Sequence, residues 1–193
     1  KWMGRCPACG EWNTITEHVV AKEPSASNIA RLASVPKAVP QRVQDIEEGT
    51  TRRIDTGNKE LNRVLGGGLV PGSLILLGGE PGIGKSTLSL QLALTNNSLK
   101  TLYVSGEESA EQIKMRASRL GIHNQECTVF TETLLENIVT QIEELRPDVV
   151  IIDSIQTMSS DLVESSAGSV TQIRECASTL LKVAKTLGIS IFI

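Results

Sequence analysis

One stretch constrains this chain more than any other: LILLGGEPGIGKST, residues 74–87. A short apolar run, Leu74–Leu77, passes into Gly79, Glu80, Pro81, Gly82, Ile83, Gly84, Lys85, Ser86 and Thr87, which fits G-x-x-x-x-G-K-[ST]. Glycines at these positions let successive backbone N–H groups converge on an anion, and a helix opening there adds its positive end. Lys85 is expected to reach the outer phosphates of a nucleoside triphosphate, and the Ser86 hydroxyl to ligate Mg²⁺. The plain alternative is a glycine-rich turn with a surface lysine. Position between a strand and a helix favours the phosphate loop.

The rest of the chain repeats that strand–helix order. Strands are expected at Leu74–Gly78, Thr101–Ser105, Cys127–Phe130, Val149–Asp153 and Ile189–Ile193. Helices are expected from Gly84 or Lys85 to about Thr95, over Ala110–Leu120, and near Leu134–Leu145. A further helix runs through Val170, Ile173, Ala177, Leu180, Ala184 and Leu187, apolar at three- and four-residue spacing. Continuous apolar strands between helices indicate an α/β fold with a mainly parallel sheet covered on both faces.

A triphosphate site needs acids beside the phosphate loop. Asp153 ends VVIID, at the strand edge where such sheets hold their ligands, and is expected to complete the magnesium site with Ser86. Its alternative is a helix or turn cap, and Asp148, at the opposite end of the strand, reads as structural. Glu107 and Glu108 follow the second strand in TLYVSGEES, on the same edge. One of them, Glu107 before Glu108, is expected to activate water, with Lys85 as its catalytic partner. The alternative is a solvated helix start, where acids are favoured anyway.

The N-terminus carries a different signature. Cys6 and Cys9 form a Cys-x-x-Cys knuckle in KWMGRCPACGEWNT, half of a four-ligand zinc site. Residues 1–17 are read as a partial zinc ribbon, 18–52 as a linker with a short strand near Val39–Val43, and 53–193 as the main domain. Charge follows this division. Residues 1–53 hold eight Lys/Arg against six Asp/Glu, and residues 54–193 eleven against sixteen. An acidic main domain argues against gripping nucleic acid through bulk charge. Cys127 and Cys176 read as core positions, and His18 and His123 lack partners at ligand spacing. No apolar run is long enough to cross a bilayer and no secretory signal is visible, so a cytoplasmic protein without membrane contact is expected. The missing initiator Met and the final strand without a closing helix suggest a piece of a longer protein.

T56-G-N-K-E-L-N-R-V-L-G-G-G-L-V-P-G72 ahead of the phosphate loop resembles the approach segment of RecA-like ATPases. Together with SGEES, VVIIDSIQT and the CPACGEWN knuckle, it resembles the RadA (Sms) family of bacterial DNA-repair ATPases over nearly the whole chain. Asn62 stands where that pattern leads one to expect Asp. The resemblance implies a four-cysteine zinc finger whose first Cys pair lies upstream of Lys1, so that Cys6 and Cys9 bind Zn²⁺ in the longer protein. It implies a RecA-like core in which ISIFI inserts between the phosphate-loop strand and the Asp153 strand. It also implies a ring-shaped homo-oligomer that hydrolyses ATP on single-stranded or branched DNA. Such rings promote branch migration and processing of recombination intermediates alongside the RecA recombinase, and their C-terminal domain is protease-like without peptidase function.

On the same resemblance, SSDLVESSAGS (159–169) falls where RecA-like proteins carry a DNA-contacting loop. It holds two acids and no Lys or Arg, with Arg174 nearby, and reads equally as a polar connection. Two other functions share the phosphate loop. A small-molecule kinase would need an arginine-bearing lid, for which only Arg116 and Arg119 offer themselves. An ATP-dependent switch or assembly protein of the RecA-like class would keep both glutamates.

Overall fold

A computed structural model of the chain describes residues 40–45 and 53–193. The expected knuckle, with Cys6 and Cys9, and most of the expected linker lie outside the described residues. Within them, helices α1 (Lys59–Val64), α2 (Lys85–Thr95), α3 (Ala110–Leu120), α4 (Leu135–Leu145) and α5 (Val170–Leu187) alternate with strands β1 (Leu74–Ile75), β2 (Thr101–Ser105), β3 (Cys127–Thr131), β4 (Val149–Asp153) and β5 (Ser190–Phe192). The five strands form one sheet in the order β1-β5-β4-β2-β3, and every pairing is parallel. β5 thus lies between the phosphate-loop strand and the Asp153 strand, as the resemblance implied.

Register decides which side chains meet. Tyr103 lies opposite Ile151 and Ser105 opposite Asp153. Strand side chains alternate between faces, so Leu102, Val104, Val150, Ile152 and Ile191 point to one side, beneath α4 and α5. Tyr103, Val149, Ile151 and Phe192 point to the other and pack with Leu90, Ala93 and Leu94 of α2 and Ile113 of α3. Asp153 has the parity of Tyr103 and Ile151, which puts it on the α2/α3 side at the C-terminal edge.

Helix ends follow local chemistry. Ser109 and Gln112 form a reciprocal capping box at the start of α3, while Gly121 ends it with φ +66°. Ser169 caps α5, and Gly188 closes it with φ +69°. α4 has no side-chain cap of its own. Instead Glu132 Oε1 accepts from the N–H groups of Leu134 (3.0 Å) and Thr133 (2.7 Å), and the Leu134 bond first, then the one Oε2 accepts from Asn137 Nδ2 (2.6 Å), hold the carboxyl below its usual range.

Two local expectations are corrected. Val43 lies in a 3₁₀ turn, Val43–Asp45, and not in a strand. It is 85% exposed, with no sheet partner among the described residues. α1 is not among the helices expected from the sequence. Asn58 opens it by accepting from Leu61 N–H at 3.0 Å. Asn62 ties it down: Oδ1 accepts from Thr56 Oγ1 (2.8 Å) and Thr56 N–H (3.1 Å), and Nδ2 donates to Asp55 Oδ1 (2.6 Å). An aspartate at 62 would set two carboxylates against each other there, so the departure from the family pattern fits its surroundings.

Candidate functional site

The C-terminal edge of the sheet collects the chain's polar chemistry. From β1 the backbone passes through the glycine-rich loop into α2, whose N-cap is Gly84 at φ +101°. A Cβ at Gly84 would meet open space, so glycine is required there by its dihedral and not by crowding. Lys85 folds back over the loop, its Nζ donating to the carbonyl oxygens of Gly79 (2.8 Å) and Glu80 (2.9 Å). Those carbonyls stand in for the anion that the motif's lysine is built to meet. Glu80, Pro81, Gly82, Ile83 and Thr87 are exposed on the same surface.

Ser86 and Asp153, far apart in sequence, meet here. Ser86 Oγ donates to Asp153 Oδ1 at 3.0 Å. The two hard oxygens fit a magnesium ion, which takes one or two protein oxygens and fills its octahedron with phosphate and water. Among the described residues no group of three or more His, Cys, Asp or Glu could hold a metal ion.

The two glutamates are in different situations. β2 ends at Ser105, and Gly106 follows, where a Cβ would collide with the Thr157 side chain and come within 2.9 Å of Thr133 Cγ2. Only glycine lets the turn pass so closely. Beyond it, Ser105 Oγ accepts from the N–H groups of Glu107 (3.3 Å) and Glu108 (3.1 Å). The exposed Glu107 accepts one hydrogen bond, from Ser154 Oγ at 2.8 Å. Glu108 turns inward, and its Oε2 lies 2.8 Å from Arg116 Nη2.

Three residues of this cluster are not apparent from the sequence. Tyr103 is fully buried, and its hydroxyl donates to Asp153 Oδ2 at 2.5 Å. Burial first, then that carboxylate, pushes the phenol far above its ordinary value, so it stays protonated. Arg116, which the sequence offers only as part of a lid, instead reaches under the edge and donates to Tyr103 Oη at 3.0 Å. Ser154 is the third. A tyrosine inside an apolar strand reads as core and an arginine on an amphipathic helix reads as solvated, and neither segment by itself points to Asp153.

The loop after β4 is organised and not a loose connection. Gln172, 2% exposed, accepts from Ser160 N–H (2.9 Å) and donates to the carbonyls of Ser160 (3.2 Å), Val163 (3.0 Å) and Ser165 (3.0 Å). Ser160 Oγ donates to Glu136 Oε1 at 2.6 Å. Cys176 is buried and Cys127 partly so, and burial pushes both thiols up to about 11.

Comparison with known proteins agrees with this geometry. Residues 40–193 match the family described as AAA domain, and residues 1–17 match the rubredoxin metal binding domain. The chain is 50% identical to the DNA repair protein RadA of Bacillus subtilis (strain 168) over all of its own length and 43% of that protein. It is 49% identical to DNA repair protein RadA of Halalkalibacterium halodurans and of Listeria monocytogenes, covering 43% and 42% of them. It therefore spans less than half the length of these relatives. No helix among the described residues is long and apolar enough to cross a membrane. With the AAA-domain match running from residue 40 to 193, well over half of its length, the chain belongs to the AAA-domain family.

Proposed function

We propose that this chain is the nucleotide-hydrolysing part of a DNA-repair ATPase. The observation that carries this reading is the Ser86–Asp153 contact beneath a phosphate loop whose lysine already grips anion-mimicking carbonyls. ATP would lie along residues 79–87, its phosphates meeting the loop N–H groups and Lys85, which exchanges the Gly79 and Glu80 carbonyls for phosphate oxygens. Ser86 and Asp153 would hold Mg²⁺, which when bound neutralises charge building on the phosphates. Glu107, exposed and lightly hydrogen-bonded, would orient and deprotonate the attacking water.

The site is open. Residues 79–84 of the phosphate loop are exposed, so shielding a triphosphate on this edge from water would call for a neighbour that closes over it. A homo-oligomeric ring meets that need, and the neighbour is then the source of any arginine or lysine finger. The relatives are named for DNA repair; on the family resemblance, the substrate proposed is single-stranded or branched DNA, with branch migration beside a RecA recombinase. Zn²⁺ is assigned to Cys6 and Cys9 within the rubredoxin-like match, since Cys127 and Cys176 belong to the packed body and cannot complete the set.

Lys85→Ala tests the reading. ATP turnover should disappear while the circular-dichroism spectrum and melting temperature stay as in the parent; undiminished turnover would refute it. Titrating single-stranded and branched DNA into the same assay separates a motor, which accelerates, from a switch, which does not.

A further inference from the structure

Hydrolysis as described makes no use of three polar groups beneath the sheet edge, Tyr103, Arg116 and Glu108. They form one connected set. Tyr103 Oη donates to Asp153 Oδ2 and accepts from Arg116 Nη2 at 3.0 Å. That same nitrogen lies 2.8 Å from Glu108 Oε2 and 3.9 Å from Asp153 Oδ2. The Arg116 side chain is 20% exposed, Glu108 31% and Asp153 13%. Drawing a guanidinium and two carboxylates out of water carries a desolvation cost, which a solvated arginine on α3 would avoid. The arrangement is therefore held by geometry: strand register puts Tyr103 diagonal to Asp153, and the capping box fixes where α3 begins.

We propose that Arg116 is a positioning residue for the magnesium-binding carboxylate, acting through Tyr103, and that the same guanidinium holds Glu108 in an ion pair while Glu107, among the described residues, stays free of one. This rests on the ATPase reading above. A carboxylate offers two oxygens. With Oδ2 pinned from behind by the tyrosine hydroxyl, Oδ1 is left directed at Ser86, where the cation would be shared. Arg116 also links two parts of the site that arrive on different strands. Asp153 comes from β4 and the glutamate turn from the end of β2, and the guanidinium touches both.

The test is binding of a fluorescent ATP analogue to the full chain, measured in EDTA and across a Mg²⁺ titration. Tyr103→Phe keeps the ring and deletes one hydroxyl. It should raise the half-saturating Mg²⁺ concentration roughly tenfold, as loss of a group that orients a metal ligand does, with binding in EDTA unchanged. Arg116→Ala should do at least as much, and Arg116→Lys should recover only part, since an ammonium cannot reproduce the planar fork. Removing a cation beside Asp153 would by charge alone draw Mg²⁺ in more tightly, so weaker Mg²⁺ response identifies orientation as the cause. A merely structural role would lower binding equally in EDTA and in Mg²⁺. That result, or an unaltered Mg²⁺ response in folded Tyr103→Phe, overturns the proposal, and the tyrosine variant decides alone should Arg116→Ala fail to fold. If the parent chain bound no nucleotide at all, the ATPase reading would fall and this proposal with it; binding by the parent with an unaltered variant sinks the proposal alone.

Discussion

The two faces of the sheet are built to different standards. Under α4 and α5 the packing is closed: α4 buries Leu135, Ile138, Val139 and Ile142, and α5 buries Cys176, Leu180, Val183 and Ala184. On the other face α3 buries Ile113 alone, and a cavity of about 410 Å³ opens between α2, α3 and β3, lined by Leu90, Leu94, Ala117, Ile122, Cys127 and Val129 among others. The chemistry sits on this second face. Beside an apolar cluster that includes Leu90, Ala93, Leu94 and Ile151, this face gives positions to Tyr103, Arg116 and Asp153, which organise a site. The closed face thus buries the larger apolar cluster, and the other combines a smaller one with polar groups.

The strongest challenge to that contrast is Leu180→Ala, which should cost about 3 to 5 kcal/mol of unfolding free energy in a denaturant titration, because its closed surroundings cannot collapse. Glu107→Gln should lower ATP turnover by roughly a hundredfold or more and leave the denaturant midpoint where it was; a midpoint that moved with activity would show the two faces sharing one stability. Ile113→Ala should cost less than Leu180→Ala, about 2 kcal/mol, since the adjoining cavity lets neighbours and water relax into the gap. Equal costs would erase the distinction.

The smallest effect is chemical. Burial raises both the Cys127 and Cys176 thiols from 9.0 to about 11, with the charges of Glu136 and Glu175 also acting on Cys176. Their folded values exceed the unfolded one, so the associated stability is whole below pH 9 and is lost as pH rises towards 11. Alkylation at about pH 8, below the ordinary thiol value, followed by mass spectrometry, should find Cys127 modified slowly, through the cavity, and Cys176 only once the chain unfolds. Earlier modification of Cys176 would mean that the α4/α5 face opens first.

Much of this is readable from residues because the information is local. β2, α3 and β4 begin and end where the apolar runs and caps place them, and the phosphate loop is a contiguous string. α1 is hidden because six residues between glycine-rich turns carry too short a period to stand out. β1 is shorter than its apolar run, although Leu77 N–H still donates to Ile193 O at 2.9 Å. Val43, flanked by polar residues and without a sheet partner among the described residues, shows that β-propensity alone does not make a strand. The Tyr103–Asp153–Arg116 contacts lie out of reach for another reason. They depend on β2 pairing with β4 in one register and on α3 lying across it, and neither relation is written in any one segment. Gln172 likewise reads as an ordinary helix residue, since its carbonyl partners are backbone groups of a loop whose course no periodicity describes.

The place of β5 has a consequence for the order in which the protein is made. Among the described residues β1 pairs with β5 alone, through Leu74↔Ile191 and Ile75↔Phe192. A growing chain therefore displays the phosphate loop early as sequence and late as a site, because the strand that feeds the loop has no edge to join until β5 emerges from the ribosome. Nascent chains arrested before Ser190 should fail to retain a nucleotide analogue, and those arrested well after Phe192 should hold it. Nucleotide capture would then report that β5 has emerged and joined the sheet.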